Sequence, residues 1–262
     1  MKFRNLKFYG SLLLTSIRAS MSFRGAFLLE AGLLFVNNLI FFVMWIIFFD
    51  QYRDIGGWYL RDMVALMAIG SGAWGVKNIC FGGMRELGRM IIKGQLDPFM
   101  TQPKNLLIHI VGTRSYARGW GHLSSSIVLM YFGGLTDPLT VGLMLLGIVT
   151  GGLVFTSAGI IAHSLTFWLG PVESLSKKYC DSLFLFALYP TNIYSGVLQV
   201  FMFTLMPAGI IGFLPVELVR EFSFARLGLL LVSSMIITVL AFVVFHGGLK
   251  RYESGNQIGG VN

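Results

Sequence analysis

The sequence predicts an all-α membrane protein: six transmembrane helices, an N-terminal interfacial helix, a cytoplasmic amphipathic helix between spans two and three, and re-entrant helices between spans five and six. Three observations predict it. The chain is 55% hydrophobic and only 12% charged, where a soluble domain carries about 25% charged residues, and its mean hydropathy is +0.73. Its charged residues sit in short patches, and the apolar runs between them reach the roughly 20 residues that a helix needs to cross hydrocarbon. Such runs exclude a transmembrane barrel, whose strands alternate over about 10 residues. Finally, the net charge of +8 flanks the spans, as the positive-inside rule produces. It is not gathered into a polar domain with stacking aromatics, so nucleic acid is excluded as a partner. Residues 1–262 read as one transmembrane domain.

Residues 1–26 scatter Lys2, Arg4, Lys7, Arg18 and Arg24 among leucines and aromatics. No unbroken apolar core remains for a cleavable signal peptide, and the stretch reads as a helix lying flat on the inner leaflet. The first span covers about 27–49 with Asn37 and Asn38 at its middle. Two amides in hydrocarbon need partners, with interhelical bonding the first reading and a polar transport path the second. Residues 50–62 hold three acids and two bases and read as an outside loop. The second span, about 63–80, contains Gly70-Ser71-Gly72-Ala73-Trp74-Gly75, small residues that let a neighbouring backbone come close. Lys77 is expected to snorkel to the inner surface.

Residues 84–103 are the longest central stretch that a bilayer would not accept, and 84–97 read as its helix. At helical pitch Arg85, Arg89 and Lys93 share a stripe with Glu86 beside them, while Met84, Leu87, Met90 and Ile91 lie opposite. Asp97-Pro98 stops the helix. Such a helix either lies on the cytoplasmic surface or docks into a partner protein. The third span falls within 106–132 and contains His109, Arg114, Arg118 and His122. Either its membrane part starts late, near Arg118, or these groups line a polar cleft open to the cytoplasm.

Gly133-Gly134 and Asp137-Pro138 make an outside turn. The fourth span, about 139–169, carries Gly147 and Gly151 at close-packing spacing, and its His163 reads as a packing histidine because no second ligand stands at metal spacing. Residues 170–181, with Lys177 and Lys178, read as an inner loop. The apolar stretch 182–216 is too long for one span and is broken by Pro190, Pro207, Pro215, Gly209 and Gly212. Irregular backbone at membrane depth needs protein or a water-filled cavity around it. The expected solution is a fifth span to about Phe203, then a re-entrant segment over 204–216 dipping from the outer face. Polar residues 217–226 lie outside, the last span covers 227–245, and Lys250-Arg251 places the C-terminus in the cytoplasm.

Cys80 and Cys180 fall at cytoplasmic segment ends, where thiols stay reduced. Gly83 and Gly88 have the spacing of a phosphate-binding loop, but Arg89-Met90 stands where Lys-Ser or Lys-Thr is required. No HExxH, GxSxG or CxxC pattern occurs. The sequence therefore offers no catalytic residue, no metal site and no cofactor of its own.

Residues 94–103, GQLDPFMTQP, are similar to the G-x-L-D-x-x-L-x-x-P that follows the second span in ABC-2 permeases, with Met100 in place of the leucine. Tyr189-Pro190, Ile193-Tyr194, Pro207, Pro215 and the stretch Gly248 to Ser254 match in order. Over essentially its whole length the chain resembles the permease subunits of ABC-2 type exporters, in particular the compact six-span bacterial ones. The resemblance implies a multi-pass protein of the bacterial inner (plasma) membrane with both termini cytoplasmic. It also implies a homo- or heterodimer of permeases and cytoplasmic ABC ATPase subunits that hold the ATP and Mg. Arg85, Glu86, Leu87, Arg89, Met90, Lys93 and Asp97 become ATPase-coupling residues, and 84–97 the coupling helix. Spans one, two and five would surround the path of an unidentified substrate, which makes Asn37, Asn38, Ser71, Trp74, Tyr189 and Asn192 its candidate lining. The alternative function is a membrane scaffold or assembly factor that recruits a cytosolic partner through 84–97 without transport. A cleft among those spans favours transport, and a sealed surface favours the scaffold.

Overall fold

The computed structural model describes residues 2–252, with side chains from Lys7 onward except that of Asn192. Glu253 and Ser254 of the matching C-terminal stretch lie outside the described residues, as does the side chain of Asn192. The described residues are helical and contain no β-strand beyond an isolated bridge between Ile55 and Trp58.

The chain begins with α1 (Lys2–Ser20) and turns into α2 (Arg24–Gln51). After α3 (Leu60–Cys80) come a 3-10 turn (Gly82–Glu86), α4 (Leu87–Ile92), α5 (Asp97–Met100) and α6 (Leu106–Gly112). Next are α7 (Ala117–Phe132), α8 (Pro138–Ser164), α9 (Thr166–Leu169) and α10 (Glu173–Ala187). A 3-10 turn (Thr191–Ile193), α11 (Val197–Phe203), a π-turn (Gly209–Phe213), α12 (Leu214–Arg220) and α13 (Phe224–Leu249) complete the order. Among the described residues four stretches are long and apolar enough to cross a membrane: Arg24–Gln51, Leu60–Cys80, Pro138–Leu169 and Phe224–Leu249. The starts of two helices are set locally. The Asp137 carboxylate accepts from Thr140 N at the head of α8, with Pro138 in its first turn, and Asn105 accepts from Ile108 N at the head of α6.

Helix α3 is the centre of the molecule, packed chiefly between α7 and α8. Its glycines explain how. A Cβ on Gly75 would lie 2.9 Å from Gly119 O, and one on Gly72 would lie 2.7 Å from Ser126 Oγ. With no side chain at these points, the helix backbones approach to van der Waals contact and gain dispersion energy that lipid cannot match. By contrast α2 and α13 are mostly bare: only 11% and 17% of their most apolar stretches are buried.

Several sequence expectations are corrected. The single helix expected over 84–97 is a 3-10 turn, a short α4 and a tight turn. A Cβ on Gly83 would lie 2.0 Å from Ile110 O, so the turn presses on α6 too closely for regular helix, and Gly94 at φ 62° ends α4 in the left-handed region that glycine tolerates. The third span is not among the corrections: α7 starts at Ala117, the late start near Arg118 that was one of its two readings, and residues 113–116 separate it from α6. The inner loop of 170–181 is helical from Glu173, so the fifth helix lies earlier than expected and ends at Ala187, not Phe203. Helix α11 occupies 197–203 instead, and α12 carries helix to Arg220, beyond the expected 204–216 segment. Lys77 does not snorkel: it is 1% exposed.

One crossing tests this packing. A Cβ on Gly121 of α7 would lie 2.2 Å from Ala31 O of α2, whereas one on Gly142 of α8 meets nothing within 4 Å. Gly121→Ala is expected to destabilise the protein by about 1–3 kcal/mol, the usual cost of overpacking, seen as a lower Tm in detergent. Gly142→Ala should leave Tm unchanged or slightly raised.

Candidate functional site

The segment after α3 is built as a plug with a charged rim. Met84, Leu87 and Leu96 are fully buried and pack with Leu107, Ile110 and Phe245. A Cβ on Gly159 of α8 would lie 2.4 Å from Met84 Sδ, so Gly159 is the hollow that receives this side chain, with Cys180 of α10 beside it. The rim is tied inward. Arg85 pairs with Asp181 of α10 at 3.3 Å, and Glu86 pairs with Arg89. Tyr116 Oη donates to Glu86 at 3.1 Å, and Tyr252 Oη donates to Asp97 at 2.9 Å. Burial works against ionisation of Glu86, but the Tyr116 hydrogen bond and the Arg89 and Arg114 cations outweigh it and hold its carboxyl below the usual range. Burial and the facing Glu86 push the Tyr116 phenol up to about 12. The expected basic stripe is therefore divided: Arg85 and Arg89 are engaged within the chain, while Lys93 and its neighbour Ile92 are exposed.

A polar seam crosses the helices above. Asn38 Nδ2 donates to Ser125 Oγ at 2.7 Å and lies 2.9 Å from His122 Nδ1, and Ser125 Oγ donates to His122 O. Asn38 is thus bonded between helices. Asn37 is exposed. The His122 ring meets Phe184 of α10 at 5.1 Å between centroids, and Phe184 stacks on Trp74 at 4.8 Å. Lys77 Nζ sits 3.9 Å from the centroid of the Trp74 ring and 3.4 Å from Asn78 Oδ1. Ser71 is fully buried, and its hydroxyl has no hydrogen-bond partner among the described residues. Tyr189 is apart from this seam, edge-on to Trp45 at 5.8 Å and Phe41 at 6.0 Å. Sequence reading missed His122, Ser125 and Lys77 as members. The available signal was three polar residues on segments already suspected of crossing the bilayer.

Two open clefts flank these features. The inner one, on the side that the sequence expects to face the cytoplasm, has a volume of about 810 Å³ and lies between the α1–α2 elbow and segments 86–99 and 113–117. Arg114 lines it, while Arg118 pairs with Glu30 at 3.1 Å. Both readings of the third span therefore apply in part, a late helix start and a polar cleft. His109 is in neither: it is held between the Phe8 and Phe99 rings, and burial together with Lys104 lowers its pKa. The outer groove, on the side that the sequence expects to face outward, has a volume of about 710 Å³ and runs between residues 44–52 at the end of α2 and Tyr189, Pro190 and Ile193.

The family described as ABC-2 family transporter protein matches residues 35–256. The chain belongs to that family. It is a permease subunit of an ABC transporter, a multi-pass membrane protein of a class that associates with ABC ATPase partners. The matched region of this ABC-2 permease takes in the plug, the seam and the outer groove, and begins within α2. No curated protein and no solved structure gave a match.

The seam makes a prediction. Asn38→Leu leaves His122 and Ser125 without their interhelical partner and is expected to cost about 1 kcal/mol, the scale of such bonds in membranes. Asn37→Leu should cost nothing. Thermal melts of the two purified variants in one detergent compare them.

Proposed function

We propose that this ABC-2 permease is the membrane half of an exporter, driven by a separate cytoplasmic ATPase that binds ATP and Mg and docks on residues 84–97. The observation that carries this reading is the plug. Its buried face is seated in α8 through Met84 and Gly159, and its rim is tied to α10 through Arg85 and Asp181. Force applied at the plug therefore reaches two long helices at once. The partner-facing surface is the exposed one, with Ile92, Lys93 and Met100.

In this reading α2, α3, α7, α8 with α9, α10 and α13 are six spans, and both termini are cytoplasmic, in a bacterial inner membrane. The stretch from α11 to α12 is re-entrant from the outer side. In support, Tyr179 Oη of α10 donates to Leu205 O at 2.8 Å, so the chain dips beside the body of α10. Arg220 then returns to Gly57 O at 2.9 Å and to Asp62 in and after the outer loop. The bare face of α2, with Leu33, Val36, Ile40 and Val43 exposed, is where a second permease subunit would pack. The outer groove opens beside that face, between the first span and the segment after the fifth. Among the described residues only Tyr189 of the candidate path lines it, and no residue of α3 does, so it meets part of the cleft expected among spans one, two and five and to that extent favours transport over the scaffold reading.

Single charge reversals separate docking from internal support. Lys93→Glu is expected to reduce co-purification of the ATPase and its ATP hydrolysis while leaving the permease Tm unchanged. Arg85→Glu is expected to reduce both, and the Arg85→Asp, Asp181→Arg double variant should restore Tm. Full ATPase binding by every reversal variant would leave the scaffold without this docking surface as well, and would sink the proposal.

The topology has its own test. Glu221 is exposed after α12, so a Glu221→Cys variant lacking Cys80 and Cys180 should react with a membrane-impermeant maleimide added outside intact cells. Labelling only after permeabilisation would remove the six-span arrangement.

A further inference from the structure

The inner cleft has features that neither ATPase docking nor the polar seam uses. Its polar wall is the start of α7. This 16-residue helix begins at Ala117, and its N-cap residue Tyr116 makes no side-chain capping bond. An uncapped helix N-terminus presents free N–H groups and a positive dipole end, which suit an anion. A second observation points the same way. Ser115 lines the cleft, is 8% exposed, and its hydroxyl has no hydrogen-bond partner among the described residues. A buried polar group left unmatched in a well-packed protein calls for a missing partner.

The charges agree. Among the described residues Arg118 covers Glu30 and Arg89 covers Glu86, whose other oxygen takes the Tyr116 hydroxyl. No salt bridge to Arg114 exists among the described residues. Arg89 and Arg114 line the cleft with Glu30 and Glu86, and Arg118 reaches Glu30 from outside the lining, so both carboxylates are paired and Arg114, next in sequence to Ser115, is the lining cation without a salt bridge among the described residues. Guanidinium with phosphate is the strongest of the pairings open to it, since two N–H groups meet two oxygens.

The opposite wall is apolar. Phe23, Phe27, Met90 and Phe99 line the cleft, and Phe23 is 81% exposed. Phe27 belongs to α2, the first of the helices apolar enough to cross a membrane, so this wall continues toward hydrocarbon. A free phosphate ion would use the polar wall and leave the aromatic wall bare.

We infer that the cleft between the α1–α2 elbow and the start of α7 binds an anionic phospholipid. Its phosphate sits on Arg114, Ser115 Oγ and the α7 N-terminus, and its acyl chains lie along Phe23, Phe27 and Phe99. Basic pockets between helices on the inner side are the general form of such sites. The inference does not rest on the transport reading: the cleft shares lining residues, Met90 among them, with the 84–97 segment, but Arg114 and Ser115 lie outside that segment, and lipid binding and ATPase docking are measured separately.

The test is a thermal-melt titration of the purified full-length chain in dodecyl maltoside. Dioleoylphosphatidylglycerol is expected to raise Tm saturably. Dioleoylphosphatidylcholine, which carries the same chains without net charge, should not, and inorganic phosphate should not. Arg114→Gln is expected to raise the lipid concentration at half-effect about tenfold, the scale of one lost charged hydrogen bond. Ser115→Ala should raise it by a smaller factor, and it reads the site independently should Arg114→Gln fail to fold. Arg53→Gln, in the outer loop, should change nothing. Equal stabilisation by phosphatidylcholine would overturn the headgroup assignment. A shift by inorganic phosphate equal to that by phosphatidylglycerol would overturn the role of the aromatic wall. Unaltered titrations in both cleft variants would overturn the site.

Discussion

The close approach of backbones along α3 is the constraint on which the other features depend. In hydrocarbon an apolar helix gains nothing by leaving lipid for protein except packing, so helices associate where small residues let them touch. Gly70, Gly72 and Gly75 place α3 against the 187–188 turn, Ile148 of α8 and Gly119 of α7. That contact fixes the depth of Trp74 and Lys77 relative to α7 and α10. It also fixes where the chain leaves α3, and so where Gly82 and Gly83 begin the plug.

From that point the inner junction follows by sterics. The 3-10 turn fits only because Gly83 lies against Ile110 O and Gly82 against Arg114 O. Met84 then drops into the hollow at Gly159, and Arg85 reaches Asp181. Two carbonyl contacts, a thioether in a pocket and an ion pair connect α6, α8 and α10 to one short segment. A loose amphipathic helix on a membrane surface would have none of these connections.

The buried polar groups show the opposite balance, since each costs free energy that packing alone does not demand. Asn38, His122 and Ser125 satisfy one another between α2 and α7. Lys77 has no carboxylate at bonding distance among the described residues and rests on the Trp74 ring, an arrangement that partly offsets desolvation of the ammonium. Ser115 Oγ has no hydrogen-bond partner among the described residues, although it lies beside Arg114 in the inner cleft. Polar groups kept under such a cost in a membrane helix bundle point to function more often than to stability.

By itself the sequence determined the class of protein and most helix positions, because apolar runs, prolines and charge placement act locally. Asp137-Pro138 starts α8, and the buried set Met84, Leu87, Met90 and Ile91 was readable from helical spacing. The ABC-2 resemblance was likewise carried by local motifs, above all 94–103. What only tertiary structure decided is which polar groups meet. Arg85 is 96 residues from Asp181, Asn38 is 87 from Ser125, and Tyr252 is 155 from Asp97. The basic stripe was legible as a stripe, but its division between an internal pair and an exposed Lys93 depends on where α10 lies. The late start of the third span was one of two readings the sequence left open, and choosing between them, like the early end of the fifth helix at Ala187, needed the structure. Both arise from neighbours that crowd the backbone, and crowding belongs to the assembled bundle, since no single segment contains both of the atoms that touch.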